Sequence, residues 1–311
     1  MNHERRAGAP KPSRPGRIAR FCALVVVAAA TVCTTAVAQT TQAAAARSFL
    51  WKVESGPKVL YLAGSVHALT ADVYPLNPAF ERAFQASDML VEEIDLSQGD
   101  LLTLGPLLLA KGMYQDGRTF DAVVSKETAA LVTKRLNNPL ALELIRGMKP
   151  WMVMLMISAM QVQQAGLNVN LGLDKYFFDK AKQAGKSIVG LETAEFQIDR
   201  FDKMPESLQE QLLRSALEDL DAQSRELAAI VTAWQRGDAG SLERTLLTGF
   251  KEYPAVYQSL IVERNHNWLP QLEKCLGRTT PCLAVVGAAH LVGPDGLLAL
   301  LRQKGYKVEQ Q

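Results

Sequence analysis

The sequence contains no Gly-x-Ser-x-Gly elbow, no phosphate-binding loop, no dinucleotide fingerprint and no His-Glu-x-x-His pair. Serine-hydrolase, nucleotide-dependent and zincin chemistry are thereby left without their usual machinery. Histidine is scarce: 311 residues hold four, His3, His67, His266 and His290. Cysteine is equally scarce, and no second cysteine pair or neighbouring histidine completes a zinc–thiolate site around Cys275 and Cys282. The apolar segments Phe21 to Ala30 and Met152 to Gln164 are both too short for a comfortable membrane span.

Positive charge is also scarcer than it first looks. The chain carries 34 Lys and Arg against 32 Asp and Glu, a net of +2. Six of the basic residues (Arg5, Arg6, Lys11, Arg14, Arg17, Arg20) and one acid, Glu4, lie in the first 38 positions, so the remainder has 34 − 6 = 28 basic and 32 − 1 = 31 acidic residues, a net of −3. Nothing in that balance suggests a nucleic-acid surface. The same 38 residues have the layout of a cleavable secretory signal: a basic segment, the apolar run, then Ala36-Val37-Ala38 before Gln39. The expectation is a periplasmic or secreted protein cleaved after Ala38, with no membrane span left; a retained anchor is the alternative. In an oxidising compartment Cys275 and Cys282, flanking the turn-rich Leu276 to Pro281, are expected to form a disulfide.

What is present is a repeated pattern. Tyr61-Leu62-Ala63-Gly64-Ser65-Val66-His67 and Leu283-Ala284-Val285-Val286-Gly287-Ala288-Ala289-His290 each run an apolar, strand-length segment into Gly-x-x-His. Such runs suit strands buried on both faces, and a histidine just past the strand falls where open α/β sheets place their ligands. Two further strand candidates end in acids: Met89 to Asp95, with Glu92, Glu93 and Asp95, and Ser187 to Glu192. Two imidazoles with one or two carboxylates match a divalent-metal site that keeps a position open for water. Strand alternation favours Glu93 over Glu92 as the inward acid, and Arg264 is a candidate for an oxyanion or a substrate carboxylate. The plainer alternatives stand beside these: the histidines as satisfied structural groups, Glu192 as a capping or salt-bridging acid, and Arg264 paired with Glu263 or Asp174. A Ser65–His67 pair is a rival mechanism, although side chains two apart on one strand rarely align for proton transfer.

Around these strands the spacing predicts a hairpin over 49–63, a helix opened by Asn77-Pro78, helices over 100–111, 125–136, 152–164 and 173–184, and a long amphipathic stretch from Pro205. The expected fold is α/β: a mixed central sheet flanked by helices, with a helical insertion or lid over about 205–270. Residues 39–47 read as a flexible leader, and 48–311 as one domain. The final strand–helix–strand segment implies a parallel pairing.

Taken in order, Leu50-Trp51-Lys52-Val53, the first Gly-x-x-His strand, Leu90 to Asp95, Lys149-Pro150-Trp151, Gly172-Leu173-Asp174, Gly190-Leu191-Glu192, Arg264-Asn265 and Val286 to Leu291 resemble the TraB/PrgY/GumN family, most closely its bacterial GumN-like branch. The usual Gly-Thr-x-His is Gly64-Ser65-Val66-His67 here, a change that keeps the hydroxyl. The family is related to the TIKI proteins, which look like manganese- or cobalt-using metalloproteases. That resemblance implies metal ligands at His67, His290 and Glu93, with Mn or Co as the ion and Zn as an alternative. It also implies catalytic roles for Glu93 and Arg264, Glu192 as an accessory, and substrate contacts from Arg264, Asn265, Trp151 and Asp174. The expected activity is metal-dependent, peptidase-like hydrolysis of a peptide or small molecule. The competing expectation is a non-catalytic peptide- or glycan-binding, envelope-polysaccharide accessory protein.

Overall fold

The structure, a computed structural model, describes residues 47–95, 100–217 and 220–311, so the expected signal peptide and nearly all of the leader lie outside the described residues. In chain order, β1 (Leu50–Ser55) and β2 (Lys58–Ser65) are followed by α1 (Pro78–Ala86) and β3 (Met89–Glu92). A helical stretch comes next: α2 (Asp100–Gly112), α3 (Phe120–Val123), α4 (Lys126–Leu136), α5 (Pro139–Ile145) and α6 (Pro150–Gln164). Then α7 (Leu173–Gln183) leads to β4 (Ser187–Gly190), followed by α8 (Ala194–Asp202), α9 (Glu206–Leu217), α10 (Leu220–Gln235), α11 (Ala239–Phe250) and α12 (Pro254–Tyr257). A π-helical turn, Gln258–Val262, continues directly into α13 (Glu263–Leu276). The chain closes with β5 (Cys282–Gly287), a 3-10 turn (Ala288–His290), α14 (Leu297–Gln303) and β6 (Lys307–Gln310).

The strands form one mixed sheet in the order β4-β3-β5-β2-β1-β6. Every residue of β5 is buried, as its unbroken apolar sequence requires of a central parallel strand. It pairs in parallel with β2 on one side and β3 on the other, and β3 pairs in parallel with β4. Only β1 runs the other way, joining β2 and β6 by antiparallel ladders. The expected parallel pairing of the last strand is therefore corrected. Crossing over α14 gives β6 the direction of β5, but β2 and β3 already occupy both edges of β5. The open edge of β1 receives β6 instead.

Insertion of β5 between β2 and β3 is the feature that builds the site. Ser65 of β2 is in register with Gly287, and Glu92 of β3 with Val285 and with Gly190 of β4. Four parallel strands thus end together, and the residues just beyond them meet. At the first turn of α1, Asn77 accepts the Ala79 N–H at 2.9 Å and Pro78 follows it, the start signal legible in the sequence.

The stretch expected as an insertion forms α9 to α13 and shares the sheet's core, with Leu212, Leu213, Leu242 and Trp268 all fully buried. Trp234 of α10 donates its indole N–H to the Gly64 carbonyl at 2.6 Å, pinning this helix to the end of β2. Gly64 itself admits no side chain, since a Cβ there would come within 2.3 Å of the Phe49 ring. Trp151 is wholly buried in the helical layer. It stacks on Phe201 and donates to Asp202 at 3.2 Å, so the expected substrate contact at this residue is replaced by a packing role. Cys275 and Cys282 are both buried free thiols close enough to influence one another.

Candidate functional site

Two residues past β2, His67 turns its ring toward β5; His290 closes the short turn after β5, and Glu93 follows β3 directly. A methyl group placed on Gly287 would lie 3.1 Å from Glu93 Oε1, 3.4 Å from His67 Nε2 and 3.6 Å from His290 Cδ2. Groups from three chain segments therefore surround one point, and Gly287 is the residue that leaves it open. Its backbone N–H donates to Glu93 Oε1 at 2.8 Å.

His67 is fixed from behind. Its Nδ1 lies 3.1 Å from Asp174 Oδ1, and the same oxygen accepts the Ser65 hydroxyl at 2.6 Å. Asp174 sits in the first turn of α7. Burial alone would discharge the imidazolium, but the charge and hydrogen bond of Asp174, aided by Glu93, outweigh it and lift the His67 pKa to about 9. Among the described residues no hydrogen bond reaches His67 Nε2. With the side chains of His67 and Asp174 24% and 36% exposed, this pair is the part of the cluster that meets solvent.

The buried half is organised by Arg264, supplied by the first turn of α13. Its Nε donates to Glu192 at 2.9 Å, its Nη1 to the Leu260 carbonyl at 3.2 Å and its Nη2 to Glu93 Oε2 at 2.5 Å. Glu192 Oε1 also lies 2.7 Å from Nη2, and the Trp268 ring centroid is 4.6 Å from the guanidinium carbon. All three guanidinium nitrogens are engaged inside the protein, so the expected oxyanion or carboxylate contact from Arg264 is replaced by an internal network. The Leu260 acceptor lies in the π-helical turn, a local widening that often accompanies functional residues.

His290 has a defined tautomer. Asn265 Nδ2 donates to the carbonyls of His290 and Asp295 at 3.1 and 2.8 Å, so its Oδ1 faces His290 Nδ1 at 2.7 Å and must accept. Nδ1 therefore carries the proton, and the lone pair on Nε2 accepts from Arg264 Nη1 at 3.0 Å. Burial, followed by the Arg264 charge, holds His290 well below its ordinary pKa and hence neutral. Glu93 is held well below the carboxylate range: burial opposes its charge, but Arg264, the charged His67 ring and the Gly287 N–H prevail. Glu192 is pushed up by burial, an effect its Arg264 partner only partly offsets. Fully buried, Asn265 orients His290 instead of facing a substrate.

The choice between the adjacent acids is clear in space. Glu93 joins the cluster, whereas Glu92 is buried with its Oε1 unpartnered and its pKa raised, first by burial and then by Asp174. Sequence reasoning missed Ser65 as the Asp174 partner, Gln197, which donates to Glu93 Oε2 at 2.8 Å, and Trp268, which donates to Glu192 Oε2 at 2.9 Å. It also missed the pairing of Asp174 with His67, for which Gly172-Leu173-Asp174 offered only a position.

The donor chemistry of His67, His290 and Glu93 suits a divalent ion, and both rings are tethered through Nδ1, the usual support for a metal-ligating Nε2. The placement does not suit one. His290 Nε2 and Glu93 Oε2 are both held by the guanidinium, and Glu93 Oε1 already accepts the Gly287 N–H. Among the described residues no group of three or more His, Cys, Asp or Glu side chains is arranged to hold an ion.

A mixed α/β sheet whose parallel strands deliver two Gly-x-x-His histidines to one acidic, Arg-centred cluster defines the class. The chain belongs to the TraB/PrgY/gumN family, whose model matches residues 49–310. It is similar to the "Uncharacterized protein YbaP" of Escherichia coli (strain K12), 26% identical over 258 residues that cover 79% of this chain and 89% of that protein. The protein of the same name from Shigella flexneri matches to the same extent. No solved structure matches.

Proposed function

We propose that this family member is an exported, peptidase-like hydrolase in which His67 moves the proton. One observation carries the reading: the Ser65–Asp174–His67 line leaves Nε2 of a solvent-reaching imidazole facing the Glu93–Gly287 cluster. Neutral His67 takes a proton from water as the oxygen attacks an amide carbonyl, then returns it to the leaving amine, so that water and amide become acid and amine. Asp174 keeps the proton of neutral His67 on Nδ1, while Arg264 acts at one remove by fixing Glu93 and His290. In the compartment expected for such a protein, Cys275 and Cys282 close to a disulfide.

A second reading, metal-assisted hydrolysis with Mn, Co or Zn on His67, His290 and Glu93, is supported by the Nδ1 tethers of both rings. It requires Arg264 to release His290. In either case, turnover of a peptide library by the purified protein is the test. Loss of turnover in His67→Ala and Asp174→Ala supports the proposal; recovery of intact bound ligand from the unmodified protein favours a binding module instead.

A further inference from the structure

The cluster already contains a cation. Arg264 is buried, and its position is fixed from four directions: Glu93, Glu192, His290 and the Leu260 carbonyl. Trp268 closes one face of the guanidinium while its own N–H orients Glu192. An imidazole lone pair serves one partner at a time, so an ion on His290 Nε2 must first displace Nη1. A dication placed beside a buried guanidinium also meets like-charge repulsion with little solvent to screen it.

We infer that Arg264 is the resident cation of this cluster and fills the seat a divalent ion would take, so the protein folds and works without one. The inference rests on the reading of the cluster as a reaction site, but its test does not. It also accounts for the pairing of a guanidinium with two carboxylates, which a site built for an ion alone would not need.

Calorimetric titration of chelator-stripped protein with Mn²⁺, Co²⁺ and Zn²⁺ decides the matter, with the visible spectrum of added Co²⁺ as a second readout. The unmodified protein is expected to show no stoichiometric site and no spectrum of protein-bound cobalt. The double variant Arg264→Met/Glu192→Gln removes one charge of each sign, frees His290 Nε2 and leaves Glu93 Oε2 with Gln197 as its one remaining donor among the described residues. It should bind the ions tighter by on the order of 100-fold, with circular dichroism confirming its fold. One equivalent of tightly bound ion in the unmodified protein, lost in His290→Ala, would overturn the inference. So would a folded double variant that gains no affinity. If the double variant does not fold, the unmodified protein's titration decides alone. The hydrolytic reading is lost separately, when His67→Ala leaves turnover unchanged.

Discussion

Asp174 and His67 share a 3.1 Å contact across 107 positions of sequence, and Ser65 donates to the same carboxylate oxygen that receives it. The arrangement holds a proton on the imidazole in the folded protein well past the point where a free histidine loses it. Since only the neutral ring accepts a proton from water, kcat/KM should rise with pH, about tenfold per pH unit, and level off near the His67 pKa of about 9. Stability should run the other way. The folded-state pKa is raised, so the contribution of this pair is fully present below the unfolded pKa of about 6.5 and is lost as pH rises through about 9. A pH–rate profile and urea midpoints across the same range check both signs.

Asp174→Asn keeps an acceptor for Nδ1 but removes the charge. The rising limb of the rate profile should then move to lower pH, by roughly one to two pH units. A uniform loss of activity with an unmoved limb would assign Asp174 to binding alone.

How far the sequence anticipates this site depends on the range of the interactions. The Gly-x-x-His strands are legible because burial on both faces leaves an unbroken apolar run, and because a glycine closes each. Glu93 is chosen over Glu92 by strand alternation, although β3 ends at Glu92 and the turn after it aims Glu93 at Gly287. The role of Asp174 is not legible, since nothing within 100 residues marks it as a partner of His67. Arg264 reads as an available cation because its acceptors come from β3, β4 and β5 ends that meet only in the folded sheet. Trp151 misleads for a similar reason: the resemblance implies a substrate contact there, but Asp202 and Phe201 from α8 enclose it. The edge position of β6 depends on which strand edges remain open, which a local strand–helix–strand pattern does not encode.

Gly287→Ala tests the crowded point directly. The Gly287 backbone has φ −50° and ψ 135°, which alanine adopts freely, so any effect comes from space. The new methyl meets a carboxylate oxygen at 3.1 Å, tighter than ordinary contact, and an imidazole nitrogen at 3.4 Å, so the Glu93 carboxylate must give by a few tenths of an ångström. The variant should fold, lose about 1–2 kcal/mol by overpacking, and lose most of its turnover. Thermal unfolding paired with kinetics distinguishes this from general collapse.

The buried thiols of Cys275 and Cys282 join the end of α13 to the start of β5, the two elements that supply Arg264 and Gly287. Protein prepared under oxidising conditions should resist alkylation at both. Reduction should lower its stability by about 2 kcal/mol, as expected for so short a loop, seen as a fall in Tm of roughly 5 °C. Mass spectrometry after iodoacetamide and a melting curve with and without dithiothreitol give the two readouts.

Mass-spectrometric detection of products, comparing the unmodified protein with His67→Ala on one peptide library, tests the central claim most directly. Hydrolysis through His67 predicts new amino and carboxyl termini in the first sample and a loss of at least about 100-fold in the second. Peptides recovered whole from both samples, or cut equally by both, would contradict it.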